Sequence, residues 1–216
     1  MVVQELQGLL QRIYDVPLAH DVGHFLLTDR SALPAGFGRG ASDEQLLVAQ
    51  DGAEMTLGLF LDPRVLAHLA QANPLDLLDG GNLADYWTAL EGVSHFVYLA
   101  WNAGHDRAVS LMELELQAEV DKYVCSVLLL RAQDPQRFPA ELHRALFETA
   151  RVDPTLAGER FGLYRRANHY AARFCRHLSE LLRPMGTQAQ ERARCELRRF
   201  YRLTSAMKLR HIECLA

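Results

Sequence analysis

A mainly α fold follows from three observations. Beyond residue 82, almost every stretch between prolines carries apolar residues at helical spacing. The main extended signal is one hairpin around an Asp51-Gly52 turn. With 216 residues, 49% of them hydrophobic, the chain can bury one core, or a core with a small appended unit. We expect a helical bundle of about five core helices with a small N-terminal α+β cap built on a β-hairpin.

The cap is expected over residues 1–72. Leu6, Leu9, Leu10 and Ile13 make an amphipathic helix from Gln4 to Tyr14, and Pro17 ends it. Phe25 to Thr28 reads as a short strand, and Ser31 to Glu44, with three glycines and a proline, as a loop. Gln45–Gln50 and Glu54–Leu61 are the hairpin arms. Asp62-Pro63 then caps and opens a helix to about Ala72. Residues 73–81, rich in Asn, Pro and Gly, are the linker candidate. The bundle follows over residues 82–216, packed with the cap as one unit. Its helices are predicted at Leu83–Asn102 (capped by Asn82), Arg107–Ala132, Pro139–Thr149, Glu159–Arg183 and Thr187–His211.

Bulk properties narrow the function classes. No apolar run approaches the roughly 20 residues of a membrane span, and no signal-like segment opens the chain. A soluble cytoplasmic protein is expected, with no membrane role. Cys125, Cys175, Cys195 and Cys214 stand singly, which gives zinc-ribbon and redox-motif readings no support; three sit at apolar helical positions. Charge is lopsided within a net of −4: residues 1–150 hold 9 Lys and Arg against 21 Asp and Glu, residues 151–216 hold 14 against 6. Internal neutralisation explains this better than a nucleic-acid face.

The chemistry concentrates on two helices. Glu113, Glu115, Gln117, Glu119 and Asp121 interrupt a helix that is apolar on nearly every side, and a carboxylate removed from water needs a partner. They form two stripes: Glu115 with Glu119, which has Lys122 nearby, and Glu113, Gln117 and Asp121, without a local cation. The preceding helix shows Trp87, Thr88, Glu91, Ser94, His95, Tyr98 and Asn102 on one face, with no Lys or Arg among them. Short and aromatic hydrogen-bonders suit a semi-buried pocket rather than bulk water.

Glu91 and His95, four apart, point the same way, as do Glu115 and Glu119. A short connection makes the two helices antiparallel neighbours. Glu91, His95, Glu115 and Glu119 are the candidate metal ligands for a divalent ion, with Ser94, Tyr98, Asn102 and Asn168 as further ligand-binding candidates. Glu113, Gln117 and Asp121 are the alternative inward stripe. The spacing is ExxxH rather than the ExxH of carboxylate-bridged diiron bundles, and the helical pyrophosphatase pattern is absent. If the pocket is catalytic, metal-dependent hydrolysis is the reading.

Two rivals remain open. The same groups can form a structural ion network, with C-terminal arginines as partners, in a non-catalytic interaction or regulatory protein that meets another protein or its own copy. Alternatively, the Arg-rich C-terminal helices, including the basic face Arg165, Arg166, Arg173 and Arg176, track nucleic-acid phosphates, the less favoured reading. Elsewhere, Leu18-Ala19-His20-Asp21-Val22-Gly23-His24 resembles the central His-Asp motif of HD-domain metal phosphohydrolases. That family also has an earlier His, and none precedes His20; a turn held by Asp21 is the alternative. Gly36 to Ser42 precedes a predicted strand, not the helix N-terminus that a phosphate cradle requires. His211, on an apolar stripe, reads as a satisfied core histidine.

Overall fold

The computed structural model describes residues 1–34, 42–52, 54–148 and 159–215. It is mainly α with a small β cap. In chain order the elements are α1 (Val2–Tyr14), β1 (Leu26–Leu27), β2 (Glu44–Asp51), β3 (Glu54–Leu61), α2 (Pro63–Gln71), α3 (Leu83–Ala103), α4 (Leu111–Gln133), α5 (Glu141–Phe147), α6 (Glu159–Leu182), α7 (Thr187–Arg202) and α8 (Ser205–Glu213). Gly36 to Ala41, where a phosphate loop was considered, lies outside the described residues.

β3 is central in the order β1-β3-β2, parallel to β1 and antiparallel to β2. Asp51 pairs with Glu54, so the turn falls one residue later than the Asp51-Gly52 expectation. Gly52 takes the left-handed φ of 60° that such a turn needs. Asp62 caps α2 as expected, accepting from the Arg64 amide at 2.9 Å with Pro63 opening the helix.

The contacts Trp87–Ser126, Glu91–Lys122, Ser94–Asp121 and Tyr98–Glu113 descend one helix as they climb the other, so α3 and α4 are antiparallel. α4 is the central helix: α3 packs along one side and α6 along another, with α1 and α5 also touching it. This explains why polar groups all round α4 are buried. The apolar core runs continuously from Leu6 and Leu10 of α1 and Leu59 of β3 to Val93, Val124, Phe174 and Phe200.

Four expectations need correction. Asn82 precedes α3 but does not cap it; its amide bonds the Ala72 and Leu77 carbonyls and accepts from the Asp79 N–H. With Gln133, which grips Pro74 and Leu78, it pins the segment expected to be a linker. α4 starts at Leu111, four residues late, because Ser110 is its cap. The last predicted helix is two: Leu203 is extended (ψ 147°), and Arg107 bonds the Arg202 and Leu203 carbonyls that a continuous helix would use. Of the cysteines, only Cys125 and Cys175 are buried; Cys195 and Cys214 are exposed.

Candidate metal centre

One turn of α3 sets Glu91 and His95 side by side. α4 faces them with Glu115, Glu119 and Lys122, and the first residue of β2 adds Glu44 from the third side. Gly92 makes this third side possible. A Cβ there would stand 2.7 Å from Leu59 Cδ1 and 2.8 Å from Glu44 Cγ, closer than side chains tolerate, so only glycine lets the hairpin approach.

His95 is 6% exposed and stands between two carboxylates. Its Nδ1 is 3.5 Å from Glu44 Oε1 and its Nε2 is 3.8 Å from Glu115 Oε2. Neither contact closes a hydrogen bond: His95 Nε2 and Glu44 Oε1 are buried without partners. Lys122 occupies the other end, donating to Glu91 Oε2 at 2.9 Å and Glu119 Oε1 at 2.6 Å. One ligand atom each from Glu91, His95 and Glu115 lie within 4.8 Å of one another, the one such group of three among the described residues. With metal–ligand bonds of about 2.0–2.2 Å in tetrahedral geometry, ligand atoms stand about 3.3–3.6 Å apart, so side-chain shifts of about 1 Å close the set.

Four acids face two bases in this cluster, and burial works against the charge on each of them. Burial pushes Glu44 up, and Glu115 up to about 7, against the pull of His95. Burial opposes charge on His95 as well, but Glu44, Glu115 and Glu91 outweigh it and raise the imidazole to about 9. Burial also works to raise Glu91, but the ammonium of Lys122 beside it holds it low. Protonation of Glu44, Glu115 or His95 offsets surplus negative charge here, a role that a divalent cation could also fill.

The second polar group lies on the neighbouring faces of the same helices. Asp121 accepts from Tyr14 Oη, from Ser94 Oγ at 2.6 Å and from Gln117 Nε2 at 2.8 Å. Gln117 Oε1 accepts from Lys208 Nζ at 2.6 Å, and this ammonium sits 4.5 Å over the Tyr98 ring and 4.7 Å over Phe200. Tyr98 Oη donates to Glu113 at 2.5 Å, and Arg107 also pairs with Glu113. Burial raises Asp121 to about 6, and lowers Lys208 to about 7 despite Glu113 and Asp121.

The sequence candidates therefore separate. Glu91, His95 and Glu115 come together, and Glu119 joins them through Lys122. Ser94 and Tyr98 belong to the Asp121 and Glu113 network, and Asn102 donates to the Tyr98 carbonyl at 2.7 Å. Asn168 is elsewhere, lining a cleft with His143 and Phe147 of α5. The cations that pair with these acids are buried Lys122 and half-buried Arg107, and Lys208 reaches Asp121 only through Gln117; the C-terminal arginines are not among them. Those serve α1 instead: Arg198 and Arg202 donate to the Ile13 and Tyr14 carbonyls at its C-terminal end. Arg165, Arg166 and Arg176 are exposed and Arg173 is half-buried. Asp21 bonds the Gly23 amide and Gln4, as a turn residue does. His211 is partly exposed and 2.5 Å from Glu196.

Sequence reasoning missed Glu44, which no spacing links to Glu91. A glycine in mid-helix beside Glu91 was its one signal. No protein-family model, curated protein or solved structure matches this chain.

Proposed function

We propose that the chain binds a divalent transition-metal ion through Glu91, His95 and Glu115, and that hydrolysis is the reaction class this site serves. The observation that carries the reading is His95 Nε2, buried without a partner in the group of three ligand residues that His95 forms with Glu91 and Glu115. Nitrogen with carboxylate oxygen suits zinc, manganese or iron rather than calcium. His95 would coordinate through Nε2 while Nδ1–H faces Glu44, the carboxylate that orients a ligating histidine. Three protein ligands leave room for a water, which a bound metal acidifies. Glu91 is 29% exposed at its side chain, so the site opens on that flank.

A second reading rests on Lys122. Its two ion pairs already engage both Glu91 and Glu119, as a structural clamp would. Metal titration of chelator-treated protein separates the two. One equivalent of Zn(II) or Mn(II), lost in His95→Ala and in Glu115→Gln while both remain folded, supports the metal site. No stoichiometric binding, with both variants unfolding, leaves the clamp. Turnover of simple ester and phosphoester substrates by the loaded wild type, absent from the variants, tests the hydrolytic part.

A further inference from the structure

At the far end of α4, 13 residues and so about 20 Å along the helix from Glu115, the C-terminal ends of α1, α4 and α6 meet the start of α7. They enclose a cavity of about 490 Å³, within the usual range of small-molecule sites, about 300–1,000 Å³. Its walls are apolar, with Leu128, Leu181 and Leu197 contributed by three different helices. Three guanidinium groups stand around it, Arg12, Arg131 and Arg194, and among the described residues no acidic one lines it.

The three arginines differ in what already holds them. Arg131 bonds the Leu182 carbonyl and touches Met185 Sδ, which fixes the rim. Among the described residues Arg194 pairs only with Glu191, an exposed partner one turn away at 3.0 Å, a contact that contributes little and is readily exchanged. Arg12 makes no side-chain hydrogen bond among the described residues, and it is exposed. An apolar trough with unspent positive charge at its edge is complementary to a molecule with an alkyl body and an anionic head.

We propose that this groove binds a free single-chain carboxylate of the fatty-acid type, its tail along Leu128, Leu181 and Leu197 and its head between Arg12 and Arg194. The site uses none of the metal-cluster residues, so metal-free protein is expected to bind equally well.

The test is calorimetric titration of the full chain with dodecanoate below its micellar concentration. The expected result is one saturable site per chain. The double charge reversal Arg12→Glu with Arg194→Glu, on exposed side chains, should weaken it about tenfold or more, and Ala132→Trp at the exposed rim should block it. Dodecyltrimethylammonium, with the same tail and a cationic head, should not compete. Absence of saturable binding overturns the proposal. So does equal affinity in the charge-reversed protein, or equal competition by the cation. Binding to vesicles of anionic phospholipid without binding to monomeric dodecanoate also overturns it, in favour of a membrane surface.

Discussion

The two polar groups on α3 and α4 share helices, burial and residue types, yet they are finished differently. Around Asp121 three donors converge on one carboxylate, and Lys208 is held by Gln117 and an aromatic cage. Around His95, two carboxylates stand at 3.5 and 3.8 Å, and His95 Nε2 and Glu44 Oε1 within the group are left without partners. In the other group the one such atom among the described residues is Asn102 Oδ1, beyond the Tyr98 end. Buried polar groups are ordinarily satisfied, and a half-satisfied network is costly to keep. The first group therefore reads as architecture joining α1, α3, α4 and α8, and the second is the group that could hold a metal ion.

Mutation breaks this comparison most directly. Asp121→Ala strips the shared acceptor from Tyr14, Ser94 and Gln117 and should cost about 3–5 kcal/mol in urea unfolding. Glu115→Gln removes a carboxylate already raised to about 7 and repelled by Glu91 and Glu44, and should change stability by no more than about 1 kcal/mol. If Glu115→Gln proves as damaging as Asp121→Ala, the cluster is a clamp and the contrast fails.

Gly92→Ala comes next. The added methyl has no room against Leu59 and the Glu44 stem, and overpacking of this kind costs about 1–3 kcal/mol. Because the displaced element carries Glu44, the variant should also weaken metal binding beyond what its folded fraction explains. An unchanged affinity would remove Glu44 from the site.

The same glycine shows what was legible in the sequence. The helices of the bundle followed from apolar spacing, and Glu91 with His95 from their separation of four. α4 was legible as a buried helix because its apolar residues surround it. That same property hid which polar stripe faces inward, since a central helix has no outward side and both stripes are covered. Glu44 was not legible, because it arrives from a hairpin 47 residues earlier in the chain. Lys208 was obscured by the break at Leu203, which turns α8 so that this lysine points into the core. Thr204-Ser205, good helix-starting residues inside a predicted helix, were the overlooked sign.

Dependence on pH sharpens the contrast, because the buried bases of the two groups act with opposite sign. Lys208 titrates near 7 when folded, against about 10.4 unfolded. Between these values the unfolded chain binds the extra proton, so stability from Lys208 grows as pH rises from about 7 to about 10. His95 titrates near 9 in the metal-free fold, against about 6.5 unfolded. Its stabilisation is complete below about 6.5 and is lost as pH rises through 9. Asp121, near 6, has finished titrating by then. Glu115, near 7, adds a loss of the same sign as that of His95, one that ends just above pH 7. Lys208→Met should therefore remove the alkaline gain and His95→Leu the alkaline loss, each by about 1 kcal/mol or more. Urea midpoints from pH 6.5 to 9.5 measure both, and parallel curves for wild type and Lys208→Met would mean that this lysine stays charged.

The smallest effect concerns access. Only two of the 23 basic residues are lysine, Lys122 and Lys208, and both are buried, at 7% and 0% exposure. Acylation of the folded chain with an amine-reactive ester should spare both and modify only the terminal amine. They should then differ as urea is raised below the global midpoint. Lys122 lies at the rim beside Glu91 and Glu119, whose side chains are 29% and 19% exposed, so rotations there uncover it. Lys208 is reached only when α8 swings away at Leu203 and leaves the Tyr98 and Phe200 rings. Local openings cost less than sub-global ones, so Lys122 should be acylated first, by a factor of a few, as peptide mass analysis would show. Simultaneous labelling of the two would mean that the site and the architecture open as one unit, and that α8 has no separate release.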